Sequence, residues 1–320
     1  MAPPSRQERW PVLPWRDWAP TLATVHMWSQ IVGKLRLALA PPLNHWWHIT
    51  LHVSGRGLTT SPIPYEGRHF QVDFDLVDHR LLVIDSGGAT FADRLEPKSV
   101  ARFYRELMAG LKGIGIDVRV WPHPVEVADA VPFPSDDEHR AYDREHATAF
   151  WRGLVQADRV MKDFQTGFIG KVSPVHLFWG GFDLATSRYS GRAAPRHPGG
   201  VVNCPDWVQE EAYSREESAI GWWPLDERFG PAFYAYTYPE PDGLRSTRVE
   251  PEEAFFDQVL GEFILPYDAI HGAADGDAKV LEFFESTYRA GADLGRWDRR
   301  ALEPAARPGR PPTRAWSLTG

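Results

Sequence analysis

The chain has 320 residues with 35 basic and 43 acidic side chains, a formal charge of −8, and no concentration of Lys and Arg before the C-terminus, which argues against nucleic acid and against an anionic membrane surface. The single cysteine, Cys204, excludes an intrachain disulfide and a multi-cysteine metal site and points to a reducing cytoplasm. Residues 1–20 lack a signal-peptide pattern, and the most apolar helical stretch, 22–40, is broken by His26, Gln30, Lys34 and Arg36, so no membrane span is expected.

In chain order, Trp10, Trp15 and Trp18 interleave with Pro11 and Pro14 as an extended aromatic arm. A helix is predicted from Asp17 or Thr21 to Ala40, with Val25, Trp28, Val32, Leu35 and Leu39 as its core stripe. Beside that stripe His26, Gln30 and Lys34 recur every four residues, either as a solvated flank or as one wall of a polar cleft. The stretch NHWWHITLHVSG, 44–55, alternates with a period of two. It predicts a strand with Trp47, Ile49, Leu51 and Val53 towards the core and Trp46, His48, Thr50 and His52 on a polar, aromatic face. A reversal at Gly55 and Gly57 and a short edge piece, LTTSPIPY, lead to a hairpin turning at Asp78-His79. In it Phe70, Val72, Phe74 and Leu76 face the core, and Gln71, Asp73 and Asp75 face away. A helix over Pro97–Lys112 and a short strand over Ile114–Val120 follow.

The segment 121–137 contains four prolines and reads as a linker. Beyond it the pattern predicts a helix over Asp137–Gln165, a strand from Pro174 interrupted at Gly180-Gly181, and a loop over 189–212. A strand then alternates Phe233, Ala235 and Thr237 with Tyr234, Tyr236 and Tyr238. Helices over Pro251–Leu260 and Asp277–Ala290 flank EFILPY, and residues 301–320, rich in Pro and Arg, are expected to be disordered. Both sides of the linker run helix, strands, helix. The expected fold is α+β, a mixed or largely antiparallel sheet with packed helices in halves 9–120 and 138–300, an order that would suit two related halves.

Four constellations carry candidate chemistry. His48 and His52 with Asp73 and Asp75 suit acid–base work, whereas one metal shared by both histidines is disfavoured because residues four apart on a strand lie about 13 Å apart. The line His26, Gln30 and Lys34, with Arg36, would suit a carboxylate or phosphate. Asp183, Ser187, Arg188 and Tyr189 precede a long loop, as an anion or sugar contact. Glu216 or Glu217 beside Tyr213 and Trp222 forms a carboxylate next to an aromatic wall. The catalytic candidates are His48, His52, Asp73 and Glu216. The ligand-contact candidates are His26, Gln30, Lys34, Trp46, Asp75, Asp183, Arg188, Tyr213 and Trp222, and no metal site is assigned. Phosphate-loop, dinucleotide, HExxH and nucleophile-elbow motifs are absent. The expectation is a soluble protein binding a small polar or aromatic ligand between lobes, with acid–base catalysis as an extension. A non-catalytic assembly module, using the Trp-rich arm and Tyr-rich strand as a partner surface, and a metal-dependent hydrolase are the alternatives. Cofactor and oligomeric state are not fixed by the sequence.

The runs WPVLPWRDWAPT, VHMWSQIVGKLRLALAPPLNHWWHITLHVSGRGLTTSPIPY, FQVDFDLVDHRLLV, FWGGFDLATSRYSGR, EAYSREESAIGWWP, FYAYTYPEP, GEFILPYDAI and LEFFESTYRAGADLGRWD resemble the bacterial domain-of-unknown-function family DUF5996 over roughly residues 9–300. The resemblance implies that this span is one unit and implies no activity. The family pattern has histidine where this chain has Arg215, so no metal or acid–base role is carried onto that position.

Overall fold

A computed structural model of the chain describes residues 9–224 and 228–303. Residues 1–8 and most of the Pro- and Arg-rich tail lie outside the described residues; within the tail, the short helix α6 (Arg299–Leu302) is described. The chain folds as an α+β mixture of helices and two antiparallel six-stranded sheets.

Helix α1 (Trp15–Leu39) is the centre of the packing. Its faces are not amphipathic in the ordinary sense: Trp18, Leu22, Trp28, Ile31, Val32 and Leu35 are fully buried, and so are Gln30 and Lys34. A helix that is buried all round must lie between layers. The first sheet, β1 (His52–Ser54), β2 (Gly57–Thr59), β3 (Ile63–Tyr65), β4 (Arg68–Asp75), β5 (Arg80–Asp85) and β6 (Thr90–Arg94), runs in the order β1-β2-β4-β5-β6, with β3 also on β4. The expected hairpin is β4–β5, closed by the pair Asp75↔Arg80, and Phe70, Val72, Phe74 and Leu76 are buried as their alternation requires. Helix α2 (Val100–Gly113) starts where the Ser99 hydroxyl accepts from the Arg102 N–H, and it presents Phe103 to Phe74 and Trp28.

The second sheet has the order β11-β12-β10-β9-β8-β7, from β7 (His176–Phe178), β8 (Asp183–Ala193), β9 (Arg215–Trp223), β10 (Ala232–Tyr238), β11 (Phe255–Asp257) and β12 (Glu262–Pro266). One face is closed by α3 (Arg144–Thr166), capped by Asp143, and α5 (Gly276–Leu294). Trp222 stacks on Phe150 of α3, and Phe233 meets Phe284 of α5 edge-on. The sheets meet edge to edge through Leu51 and Leu177, whose backbones exchange both hydrogen bonds, at 3.0 and 2.8 Å.

Four local expectations are corrected. The stretch 44–55 is not a continuous strand. Asn44–Ile49 is a kinked 3-10 segment in which His45 and Trp46 adopt φ of 57° and 60°, and only His52–Ser54 joins the sheet. A left-handed pair breaks the pleat, so the period-two pattern there does not set two faces of a sheet. Residues 114–120 form irregular chain after α2, and 251–260 supply a turn and the edge strand β11 instead of a helix. Conversely, the expected loop 189–212 contains the last part of β8 and a short helix, α4 (Asp206–Ala212).

Candidate functional site

The outer face of the second sheet is concave because its centre is paved with small residues. Ala185 on β8 and Ala219 and Gly221 on β9 turn to this face, while Leu184, Ile220, Trp222 and Phe233 point into the core. Gly221 is required there: a Cβ at this position would overlap the ring of Tyr234, which lies across the sheet to donate its hydroxyl to Asp183. Around this floor Asp183, Glu217, Trp223, Tyr234, Tyr236 and Glu262 rise from the strands. His45, Trp46 and Trp47 close one side, Glu126 another, and Val201, Val208, Gln209 and Tyr213, from α4 and its flanking loops, form the cover. The cavity is about 300 Å³, at the small end of ligand sites.

Four carboxyls therefore share one cavity, and burial is the main influence on each. It raises Asp183 to about 6 against the Tyr234 hydrogen bond, and Glu217 to about 7 against hydrogen bonds from Tyr189, Tyr236 and Ser187. Glu262 rises to about 8 through burial reinforced by Asp183 and Asp257. Glu126 rises to about 7 through burial and Asp183, although much of its side chain remains accessible to water. The tyrosines are linked: Tyr213 and Tyr236 hydroxyls lie 3.0 Å apart, and the rings of Tyr234 and Tyr236 stack at 6.1 Å. The histidines at the wall stay neutral donors and acceptors. Burial lowers His176 to about 3, and it lowers His45, whose Nδ1 donates to the Ala212 carbonyl at 2.6 Å.

Of the residues singled out from sequence, Trp46, Asp183, Ser187, Tyr189, Tyr213 and Glu217 line this cavity. The line along α1 stands behind it. His26 donates to the Gly180 carbonyl at 2.8 Å, and the Gln30 amide clamps both backbone groups of Val125 at 2.9 Å, which sets the adjoining Glu126 over Gly180. Lys34 is buried between the Trp121 and Trp179 rings, and burial lowers it to about 8. Gly33 beside it has no side chain because a Cβ would overlap the Trp179 indole.

The other candidates lie elsewhere. His48 accepts from the Leu43 N–H, and His52 sits beside His176 with Arg36 near, both lowered chiefly by burial. Asp73 accepts from Gln71 on the first sheet, so the expected juxtaposition of His48, His52 and Asp73 does not form. Asp75 caps the β4–β5 turn: against the upward push of burial, the Asp78 and Val77 N–H groups and Arg56 hold it below its usual value. Glu216 pairs with Arg192 at 2.6 Å, and it is the next residue, Glu217, that faces the cavity. Arg188 is buried on the core face against Glu285, Phe164 and Tyr288, and Trp222 is core. Trp10 and Trp18, proposed for a partner surface, pack against Phe233 and Phe150 of their own chain.

Sequence reading passed over Glu126, Glu262, His45, Trp47 and His176. The period-two run Tyr234, Tyr236, Tyr238 correctly separates the tyrosine face from Phe233, Ala235 and Thr237. Among the described residues no three His, Cys, Asp or Glu side chains gather as potential metal ligands, and no helix is long and apolar enough to cross a membrane. Comparisons with curated proteins and with solved structures return no match. The model of the family of unknown function DUF5996 matches residues 10–304, nearly the whole length, and the chain belongs to that family.

Proposed function

We propose that this protein binds a small polar ligand in the cavity on the outer face of its second sheet, where the carboxyl groups can also give or take a proton. The observation that carries this reading is the convergence of Asp183, Glu217, Glu262 and Glu126 with Tyr213, Tyr234 and Tyr236 on one walled, concave surface. Polar side chains turned into a cavity, when the opposite face of the same sheet packs Leu184, Ile220, Trp222 and Phe233 into the core, are placed for an occupant. Carboxyls that hold protons near neutrality are suited to general acid–base exchange, because their proton affinity matches the medium in which they work.

The test is a thermal-shift screen of small metabolite-like compounds against the wild type and two cavity-filling variants, Ala185→Leu and Ala219→Leu. Both alter the floor without touching a polar group. Compounds that raise the melting temperature of the wild type are expected to lose that effect in the filled variants, with folding checked by circular dichroism. If the hits stabilise folded Ala185→Leu and Ala219→Leu as well as wild type, the cavity is not where they bind and the reading fails.

A further inference from the structure

We propose that the occupant of this cavity is a compact organic cation, an ammonium compound held by the carboxylates and by the faces of the surrounding tyrosine and tryptophan rings. This rests on the ligand-binding reading above and names its chemical class.

The first observation is a contrast in charge pairing. Among the described residues the fully buried carboxylates are Asp75, Asp85, Asp136 and Glu217. Asp75 meets Arg56 at 3.0 Å, Asp85 meets Arg68 at 3.2 Å, and Asp136 meets His139 at 2.8 Å. Glu217 meets only hydroxyl groups. Its cavity neighbours Asp183, Glu262 and Glu126 likewise form no ion pair among the described residues, and no Lys or Arg lines the cavity. A buried carboxylate is costly unless a cation answers it. The fold answers the other three internally and leaves this group for something from outside.

The second observation concerns the rings. Trp47 and Tyr189 both line the cavity, and the ammonium of Lys171, which is not among the lining residues, already sits 5.1 Å from the centroid of one and 5.3 Å from the other. The chain thus places an ammonium against this aromatic wall, the geometry by which rings recognise alkylammonium groups. A neutral sugar would use the hydroxyls and ring faces but would leave the carboxylates unanswered.

The pH behaviour follows from the groups facing the cavity. The tyrosines Tyr189, Tyr213, Tyr234 and Tyr236 are all raised by burial, and His45 and His176 are lowered by it, so none of these changes charge between pH 6.5 and 8. Cys204, near Glu126, is raised by burial, and the Lys171 ammonium sits against the Trp47 and Tyr189 rings. Of the groups that line the cavity, the carboxyls are the ones that titrate in that window, and Lys34, lowered to about 8, stands behind the wall. A cation binds their ionised form and displaces their protons, so its affinity rises with pH by up to about tenfold per pH unit for each proton released.

The experiment is calorimetric titration of the full chain with putrescine and with choline chloride at pH 6 and pH 8. Magnesium chloride of equal ionic strength serves as the control for general screening, and glucose and myo-inositol serve as neutral probes. At least one ammonium probe is expected to bind saturably, more tightly at pH 8 than at pH 6, and about tenfold or more weakly to Glu217→Gln and Glu262→Gln. Those substitutions keep shape and remove only charge, and circular dichroism verifies their folding. If neither ammonium probe binds at millimolar concentration, or if binding is indifferent to pH and to both substitutions, the cation assignment is overturned. Saturable binding of glucose or inositol alone, abolished by Ala219→Leu, overturns it too while leaving the cavity as a ligand site.

Discussion

The outward face of the first sheet and the cavity face of the second are built from the same antiparallel ladder, yet they treat carboxylates in opposite ways. On the first, Asp73 takes two hydrogen bonds from Gln71, and Asp75 is held by Arg56 and two backbone N–H groups. On the second, Asp183, Glu217 and Glu262 look across small floor residues at tyrosine hydroxyls and at each other's charge. A carboxylate answered within the fold contributes to stability; one left unanswered subtracts from it and leaves a group available to a partner. The difference separates a structural face from a working one.

The largest effect should come from breaking the wall between the two faces of the second sheet. Trp222→Ala removes a fully buried ring stacked on Phe150 and is expected to cost about 3–5 kcal/mol in urea unfolding, whereas Trp223→Ala, on the half-buried cavity face, costs less. Equal losses would mean that the two faces are equally structural.

Next, charge removal on the two sheets should have opposite signs. Asp75→Asn is expected to destabilise by about 1–3 kcal/mol, since it strips a buried group of its charged partner, whereas Glu217→Gln is expected to be neutral or stabilising at pH 8. The pH dependence gives the same contrast. Asp183, Glu217 and Glu262 titrate near 6, 7 and 8, above their unfolded values, so the folded chain holds the extra protons. The stability they contribute is complete below the unfolded values and is lost as pH rises through 6 to 8. His26 and His176, lowered to about 4 and 3, act only below 6.5, where stability falls as pH falls. The empty protein should therefore lose unfolding free energy from pH 6.5 to 8, and Glu217→Gln should flatten that slope. A slope unchanged by the substitution would place the titration elsewhere.

The smallest effect concerns the support behind the cavity. Gln30→Leu frees both backbone groups of Val125 and is expected to cost about 1 kcal/mol overall, with faster limited proteolysis confined to residues 121–130.

Much of this organisation is legible in the sequence, and the limits have physical causes. Helices α2, α3 and α5 and the β4–β5 hairpin follow from local periodicity and caps, and the tyrosine face of β10 follows from a period of two. Residues 44–55 defeat the same rule, because two left-handed residues at the start convert an alternating pattern into a kinked turn. Glu216 and Glu217 show the sensitivity of parity: one step along β9 separates an exterior ion pair from the cavity. Glu126 and Glu262 carry no local signal at all. One stands in irregular chain and the other starts an edge-paired strand, and only tertiary packing brings them to Asp183.

The backbone N–H of Glu126 donates to the Val202 carbonyl at 2.9 Å, and Asn203 reaches the Val127 carbonyl at 2.8 Å, so the segment that carries this carboxylate is stitched to the loop leading into the cavity's cover. The carboxylate and the cover are thus held in one hydrogen-bonded unit, so a change that loosens residues 201–203 is expected to displace Glu126 as well.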